Sequence, residues 1–452
     1  MIYLDADRDQ VVLGTAGSGK TLMAVHRAVY LADEQYEHAG RTLLVTYNTA
    51  LVSYLTHLVG SASAGVDIRN YHRVARGYLH RRGRFGYNVV IDGHARDVAA
   101  RRAIEHVASS GASSTLLDRP LQFFLDEFDW ISGHGFADRD AYLGAERRGR
   151  LAPLQPRQRR LLWDIRNEYL ARRAIAGYRY DWWELPSAVL AELADDDEEP
   201  LYRHIVIDEA QDLPPEAIRS LVQMADREGS VTLFADYAQQ LYGQRTSYAS
   251  CGLRVRRAEE FKENFRNSVG IANLAIGTSA LPHFSDSADL VVPTRPTAAG
   301  TPPTLFRASD VQAERDAIRV QAQQLGATSR VAILAPTWHE ARWYASGIAN
   351  VRGLKEDSPW SDKPGIYVGT YYSAKGLEFD AIIMPGLNAS AHPEPKAVDA
   401  FGTDEAMERD ARLLYVGITR ARDELLATYT EEFTAVLPSP SSGLWLNSGI
   451  TA

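Results

Sequence analysis

Short runs of apolar and β-branched residues recur along the chain, separated by longer stretches whose apolar positions return at helical spacing. In the first half the runs fall at 11–13, 43–46, 204–207 and 231–235; a second set falls at 304–306, 331–334, 366–369, 381–384 and 425–428. Near-continuous apolar strands alternating with helices predict parallel sheets covered on both faces, and two separate sets predict two α/β domains. Between about 75 and 200 the pattern changes to Leu, Phe, Trp, Arg and Glu with few β-branched residues, which predicts an all-helical insertion. The expected units are a first domain over 1–74 and 201–259, an insertion over 75–200, and a second domain over 260–452. The insertion's aromatics, among them Phe123, Phe124, Phe128, Trp130 and Trp163, read as core in preference to base-stacking surfaces.

Composition adjusts this picture in three places. The formal charge of −9 excludes a uniformly basic surface, but not a local positive track that binds nucleic acid. Arginines cluster at 81–84, 147–150, 157–160 and 171–174, opposite in sign to the DDDEE run at 195–199; the clusters are candidates for phosphate contacts. Cys251 is the single cysteine, so no intrachain disulfide forms, and its surroundings lack metal-ligand spacing. No apolar run approaches the roughly 20 residues that span a bilayer, so a cytoplasmic protein without a membrane partner is expected.

The chemistry starts at 14–21, GTAGSGKT, directly after the first predicted strand. Gly14, Gly17 and Gly19 let the backbone wrap a phosphate, Lys20 adds charge at the β/γ position, and Thr21 offers a hydroxyl to Mg²⁺. A second acidic element, VIDEAQD, follows the strand at 204–207. There Asp208 suits a metal and its water shell, and Glu209 suits acceptance of a proton from attacking water. No guanine-specific NKxD sequence follows, so ATP hydrolysis is the expected reaction, with ATP and Mg²⁺ as cofactors. The tract LFADYAQQLYGQR at 233–245 ends the next strand, and the crevice rule brings its polar end to the same edge. Either Gln239 or Gln240 can meet the γ-phosphate there. Arg266 in KENFRNS and Arg420 in LLYVGITRARDEL are candidates to reach the phosphate from the second domain.

The ordered series GTAGSGKT, VTYNTAL, NYHRVA, VIDEAQD, LFADYAQQLYG, ENFRNS, TYYSAKGLEFD and LLYVGITRARDEL resembles the superfamily 1A ATP-dependent DNA helicases of the UvrD/PcrA/Rep type. The resemblance implies two RecA-like P-loop NTPase domains that open and close with ATP, and movement along single-stranded DNA in the 3' to 5' direction. Carried over, it makes Lys20, Asp208, Glu209, Gln239, Arg266 and Arg420 catalytic, and assigns the metal to Thr21 and Asp208. It puts Phe265 where the family stacks adenine with a tyrosine, and Glu378 near the ribose. Tyr47, Asn48, His72, Tyr242, Tyr371, Tyr372, Ser373 and Lys375 fall in stretches that resemble the family's DNA-side motifs.

Departures from the pattern refine the expectation. Gln10 stands too close to Lys20 to serve as the family's adenine-binding glutamine. About 100 residues separate ENFRNS from TYYSAKG, so the large accessory insertion of the second domain is absent or vestigial. Gln244 takes the place of a base-stacking aromatic, so either the strand is gripped less firmly or a tyrosine such as Tyr371 replaces the platform. The expected substrate is single-stranded or tailed duplex DNA, with a protein partner supplying processivity or targeting. A nucleic-acid-stimulated ATPase switch without processive unwinding is the alternative.

Overall fold

The computed structural model describes all residues except 1, 16, 61–63, 88, 148–149, 151, 237–247, 256–257, 262–266, 285–301, 356–359 and 449–452. The first half of the chain runs β1 (Gln10–Gly14), α1 (Lys20–Ala32), β2 (Thr42–Thr46), α2 (Thr49–Val59), β3 (Val66–Asn70), α3 (Tyr71–Arg81), β4 (Val90–Ile91), α4 (Gly93–Ser109), α5 (Leu121–His134), α6 (Arg139–Gly144), α7 (Pro156–Ile175), β5 (Tyr180–Asp181), α8 (Leu185–Leu193), β6 (Tyr202–Ile207), α9 (Pro215–Met224), β7 (Ala225–Ala235) and β8 (Ala258–Phe261). The second half continues α10 (Val269–Ser279), β9 (Thr304–Arg307), α11 (Val311–Gly326), β10 (Arg330–Ala335), α12 (Trp338–Tyr344), β11 (Arg352–Gly353), β12 (Gly365–Thr370), β13 (Phe379–Met384), α13 (Pro395–Phe401), α14 (Thr403–Thr419), β14 (Ala421–Tyr429) and β15 (Leu446–Asn447).

Two parallel sheets result, as the apolar runs require. The first has the order β3-β2-β6-β7-β1-β8, with β2 buried at every position. Because β6, β7 and β1 are neighbours and parallel, their carboxyl ends lie side by side, which brings Asp208, Asp236 and the loop after Gly14 to one edge. β8 extends this sheet beyond residue 259, and the Thr15 amide donates to the Phe261 carbonyl at 3.1 Å. The second sheet has the order β11-β12-β10-β13-β14-β9-β15. Here β12 and β13 flank β10 and run parallel to it. The eight residues 371–378 therefore cross from the carboxyl edge of this sheet to its amino edge.

The insertion packs its aromatics inward: Phe123, Phe124, Phe128 and Trp130 are each no more than 2% exposed. It departs from the all-helical expectation in one place, where β4 pairs with β5 and ties its two ends together. Strands of two residues are too short to leave an alternating signature. The arginine clusters are largely spent inside it. Arg84 pairs with Glu192 at 2.7 Å, Arg147 with Glu127 at 2.7 Å and Arg172 with Glu168 at 2.7 Å; Arg82 pairs with Asp196, Arg150 with Asp126 and Arg173 with Glu184. Arg159 donates to the Leu143 and Ala145 carbonyls. These residues hold helices and loops together, and the acidic run at 195–199 includes the partner of one of them. The insertion also grips the second domain: Ala400 and Phe401 belong to its apolar core, Arg409 pairs with Asp126 at 2.9 Å, and the Ala152 amide donates to Glu405 at 2.8 Å. Among the described residues no helix is long and apolar enough to cross a membrane.

Candidate active site

The loop between β1 and α1 is shaped by its glycines. Gly19 sits at φ 80, in the left-handed region where a side chain is strained, and forms the N-cap of α1. A Cβ on Gly14 would stand 2.7 Å from the Ser18 hydroxyl and 3.1 Å from the Lys20 side chain, so only glycine lets Lys20 fold back over the strand end. The Lys20 ammonium donates to the Gly14 carbonyl at 2.9 Å and the Thr15 carbonyl at 2.7 Å, and lies 3.5 Å from Asp236. Gly17 has φ 77, and the buried hydroxyls of Thr15 and Ser18 have no partner among the described residues. A cation, two unengaged hydroxyls and the amino end of a 13-residue helix converge here, an arrangement suited to an anion.

The two adjacent carboxyl groups beyond β6 are pushed in opposite directions by their surroundings. Burial and the neighbouring Glu209 raise the Asp208 pKa, against the opposing pull of the Thr21 hydroxyl and Lys20. Burial would raise Glu209 too, but Lys375, Arg420 and Lys20, with the Gln211 amide, hold it below the ordinary glutamate value. An ionised Glu209 is ready to accept a proton. Its backbone is held at φ 53, a left-handed conformation rarely taken by a residue other than glycine. The Gln211 side-chain amide donates to Glu209, and its carbonyl accepts from the Asp236 amide at 2.9 Å. Strand ends β6 and β7 are thus joined through one glutamine.

Two cations come from the second domain. Lys375, at 2% exposure, donates to Asp212 at 2.5 Å, and burial raises the Asp212 carboxyl to about 6 in spite of that ammonium. Arg420, at 1% exposure, caps α14 by donating to the Val416 carbonyl at 3.2 Å, and its charge reaches Glu209. Asn267 donates to the Thr419 and Ala421 carbonyls on either side of it. Glu378 is half-buried just ahead of β13. Gln239, Tyr242, Phe265 and Arg266 lie outside the described residues.

The residues present fit a divalent cation. Neither oxygen of the buried Asp208 carboxylate completes a hydrogen bond among the described residues, although the Thr21 hydroxyl is close enough to favour its ionised form. Among the described residues no group of three His, Cys, Asp or Glu is assembled for a metal. One carboxylate and one hydroxyl suit Mg²⁺, which keeps several waters and shares phosphate oxygens.

A second cleft, of about 490 Å³, opens between the domains and is lined by Tyr47, Asn48, His72, Tyr372, Ser373 and Lys375. Several of the expected strand-side residues have other duties. Tyr371 is a correction: it is fully buried, and a Cβ on Gly417 would stand 2.7 Å from its ring, so the ring is part of the second domain's core and cannot stack a base. Lys375 turns instead to Asp212, as described. Ser373 closes a turn with Thr370, each accepting from the other's amide, at 2.8 and 3.1 Å. The Asn48 carbonyl oxygen accepts from the Ala50 amide at 3.0 Å and caps α2, while its amide nitrogen donates across the cleft to Lys375 O at 2.7 Å, Ser373 O at 3.2 Å and Tyr372 O at 3.4 Å. His72 is wedged between Tyr47 and Trp182, with ring centroids at 5.5 and 5.1 Å, and burial together with Arg76 lowers it to about 4. Tyr372, with 42% of its surface exposed, presents itself to the cleft.

Residues 5–245, more than half of the chain, match the model of the AAA domain family, and residues 346–432 match the UvrD-like helicase C-terminal domain. The chain belongs to the UvrD/Rep-like superfamily 1 helicases. It is 38% identical over 66 residues to the probable DNA helicase II homolog of Rickettsia conorii, covering 15% of this chain and 10% of that protein. It is 34% identical over 88 residues to DNA helicase II of Escherichia coli, covering 20% and 12%. With ATP-dependent DNA helicase UvrD2 of Mycobacterium tuberculosis it shares 40% identity over 65 residues, covering 14% and 9%. The matched segments thus span about a tenth of each relative's length.

Within this helicase-family frame, three residues not singled out from the sequence complete the site. Asp236 is the first polar residue of the tract at 233–245 and faces Lys20 from just beyond β7. Gln211 and Asp212 end the VIDEAQD run, and only the tertiary structure reveals that one bridges two strand ends while the other receives a lysine from the second domain. The signal was their place inside motifs already read for other residues.

Proposed function

We propose that the chain is an ATP-driven motor that moves along single-stranded DNA in the 3' to 5' direction and opens tailed duplexes weakly or with a protein partner. Its proposed units are a first domain over 1–74 and 201–261, extended from 259 to take in β8, an insertion over 75–200, and a second domain over the residues that follow. The observation that carries the reading is the bond across the domains in which Lys375 of the second domain donates to Asp212 of the first at 2.5 Å, three residues from Glu209, while Lys20 folds over the same sheet edge and the buried Arg420 adds its charge from the second domain. Opening the domains removes two of the three cations, so hydrolysis depends on closure.

In this reading Gly14, Gly17, Gly19 and Lys20 hold the phosphates, and Glu209 accepts the proton of the attacking water. Arg420 meets charge that develops on the phosphoryl group. Gln239, Arg266, Phe265 and Glu378 keep the roles the family resemblance implies. Thr21 and Asp208 would hold Mg²⁺, which when bound neutralises phosphate charge.

The test is ATP turnover measured without polymer and with single-stranded DNA, duplex DNA or RNA, beside streptavidin displacement from 3' and 5' ends. Single-stranded DNA should stimulate turnover and displacement should favour one end. Lys20→Ala should lose nucleotide binding, and Glu209→Gln should bind but not turn over. Turnover indifferent to DNA refutes the motor; stimulation without displacement from either end makes the protein a switch.

A further inference from the structure

We propose that Trp338 and Lys355 form a nucleobase subsite on the second domain, at the mouth of the interdomain cleft; the inference rests on the single-strand reading above. Trp338 is the first residue of α12, directly beyond the carboxyl end of β10. Its helix start is fixed by a capping box in which Thr337 accepts from the Glu340 amide at 3.2 Å and the Glu340 carboxylate accepts from the Thr337 amide at 3.0 Å. Part of the indole packs against the core shared by the two domains, which holds the ring in place. The rest borders two adjoining cavities, the cleft of about 490 Å³ and a shallower one of about 410 Å³.

Two cations lie over this ring: the Lys355 ammonium at 5.4 Å from its centroid and the Arg342 guanidinium at 5.4 Å. Among the described residues it has no aromatic partner, unlike Trp360, which meets three other rings. Tyr47 and Tyr372 stand in the same cleft. A rigid aromatic ring at the edge of the cleft, whose face already attracts an ammonium and a guanidinium on flexible stems, matches a base that takes the face while the cations swing to its neighbouring phosphate. Lys355 lies next to the buried Leu354, whose amide donates to the Val368 carbonyl at 2.9 Å, so the cation is presented from an anchored segment. The subsite reads no particular base, because every base has a face to stack. It also supplies the aromatic surface that Tyr371, buried in the core, cannot provide.

Trp338→Leu keeps apolar bulk against the core and removes the π face, whereas Trp338→Phe keeps a smaller face. With the full chain and a labelled oligothymidine, fluorescence anisotropy should show Trp338→Leu weakened about 5- to 150-fold and Trp338→Phe much closer to the parent. On an abasic strand of equal length, all three proteins should bind alike. Lys355→Gln should reduce the slope of log affinity against log salt by about one. Equal affinities of parent and Trp338→Leu for oligothymidine, with ATP turnover intact, overturn the subsite. An equal loss on abasic and base-containing strands overturns it as well, since it marks a structural role. Failure of the parent to bind either strand overturns the motor reading itself.

Discussion

Asn48 performs two jobs with one side chain, and they can be separated. Its carbonyl oxygen caps α2, and its amide nitrogen reaches three backbone carbonyls of the second domain. An amide nitrogen has two hydrogens, so contacts at 2.7, 3.2 and 3.4 Å amount to one good bond and one shared between two acceptors. At about 0.5–1.5 kcal/mol net per bond, the interdomain share is about 1–2 kcal/mol, a shift of roughly 5- to 30-fold toward separated domains when it is lost. The cap is worth about 1 kcal/mol to α2. Serine caps as well as asparagine but lacks the amide, so Asn48→Ser should remove the interdomain term alone, and Asn48→Ala should remove both. Small-angle scattering reports domain separation, and hydrogen exchange of the α2 amides reports the cap. We expect both variants to open equally, and only the alanine variant to lose α2 protection. A serine variant with the parent's domain spacing refutes the interdomain role, and equal α2 protection in the two variants refutes the cap.

His204 donates to the His38 carbonyl and meets the Ser230 hydroxyl, and burial lowers it to about 4, below the unfolded value of about 6.5. The folded state then binds fewer protons between those values, so stability present above pH 6.5 is lost as pH falls toward 4; urea unfolding across this window should show a shallower pH dependence for His204→Gln, and an unchanged slope refutes the assignment. Cys251 is 1% exposed and burial pushes its thiol up to about 11, so thiol reagents at neutral pH should label it at the rate of unfolding, and rapid labelling of the native protein refutes the burial. Phe401 carries the Arg409 guanidinium 3.8 Å from its ring centroid and sits in the insertion's core. Phe401→Ala should cost about 3–5 kcal/mol at that contact and raise hydrogen exchange in α5 while leaving ATP binding intact; unchanged exchange in α5 shows that the contact does not hold the insertion.

What the sequence made legible followed from how local each signal was. Strand runs and the glycine loop declare themselves within a few residues, because a parallel strand needs continuous apolar character and a phosphate loop needs its glycines in register. Charge clusters carry no such information. The arginines at 81–84, 147–150 and 171–174 look alike in sequence whether they face DNA or a buried carboxylate, and partners such as Glu127 and Asp196 are tens of residues away. The same limit applied to the YYSAK segment. Adjacent tyrosines offer the same chemistry, yet one packs under Gly417 and the other faces the cleft, and only the path of the backbone past β10 decides which.

That path also bears on coupling. Residues 371–378 cross the second sheet from the edge that holds Tyr372 and Trp338 to the edge that holds Glu378, near the start of β13. Along the way the Tyr372, Ser373 and Lys375 carbonyls accept from Asn48, and the Lys375 ammonium pairs with Asp212, three residues from Glu209. A domain movement that breaks the Asn48 contacts pulls on the same eight residues that place Lys375 beside Asp212. The cleft and the carboxylates at the end of β6 are therefore joined by one short backbone segment, which makes a coupling energy between Asn48 and Lys375, read from a double-mutant cycle on ATP turnover, the expected outcome.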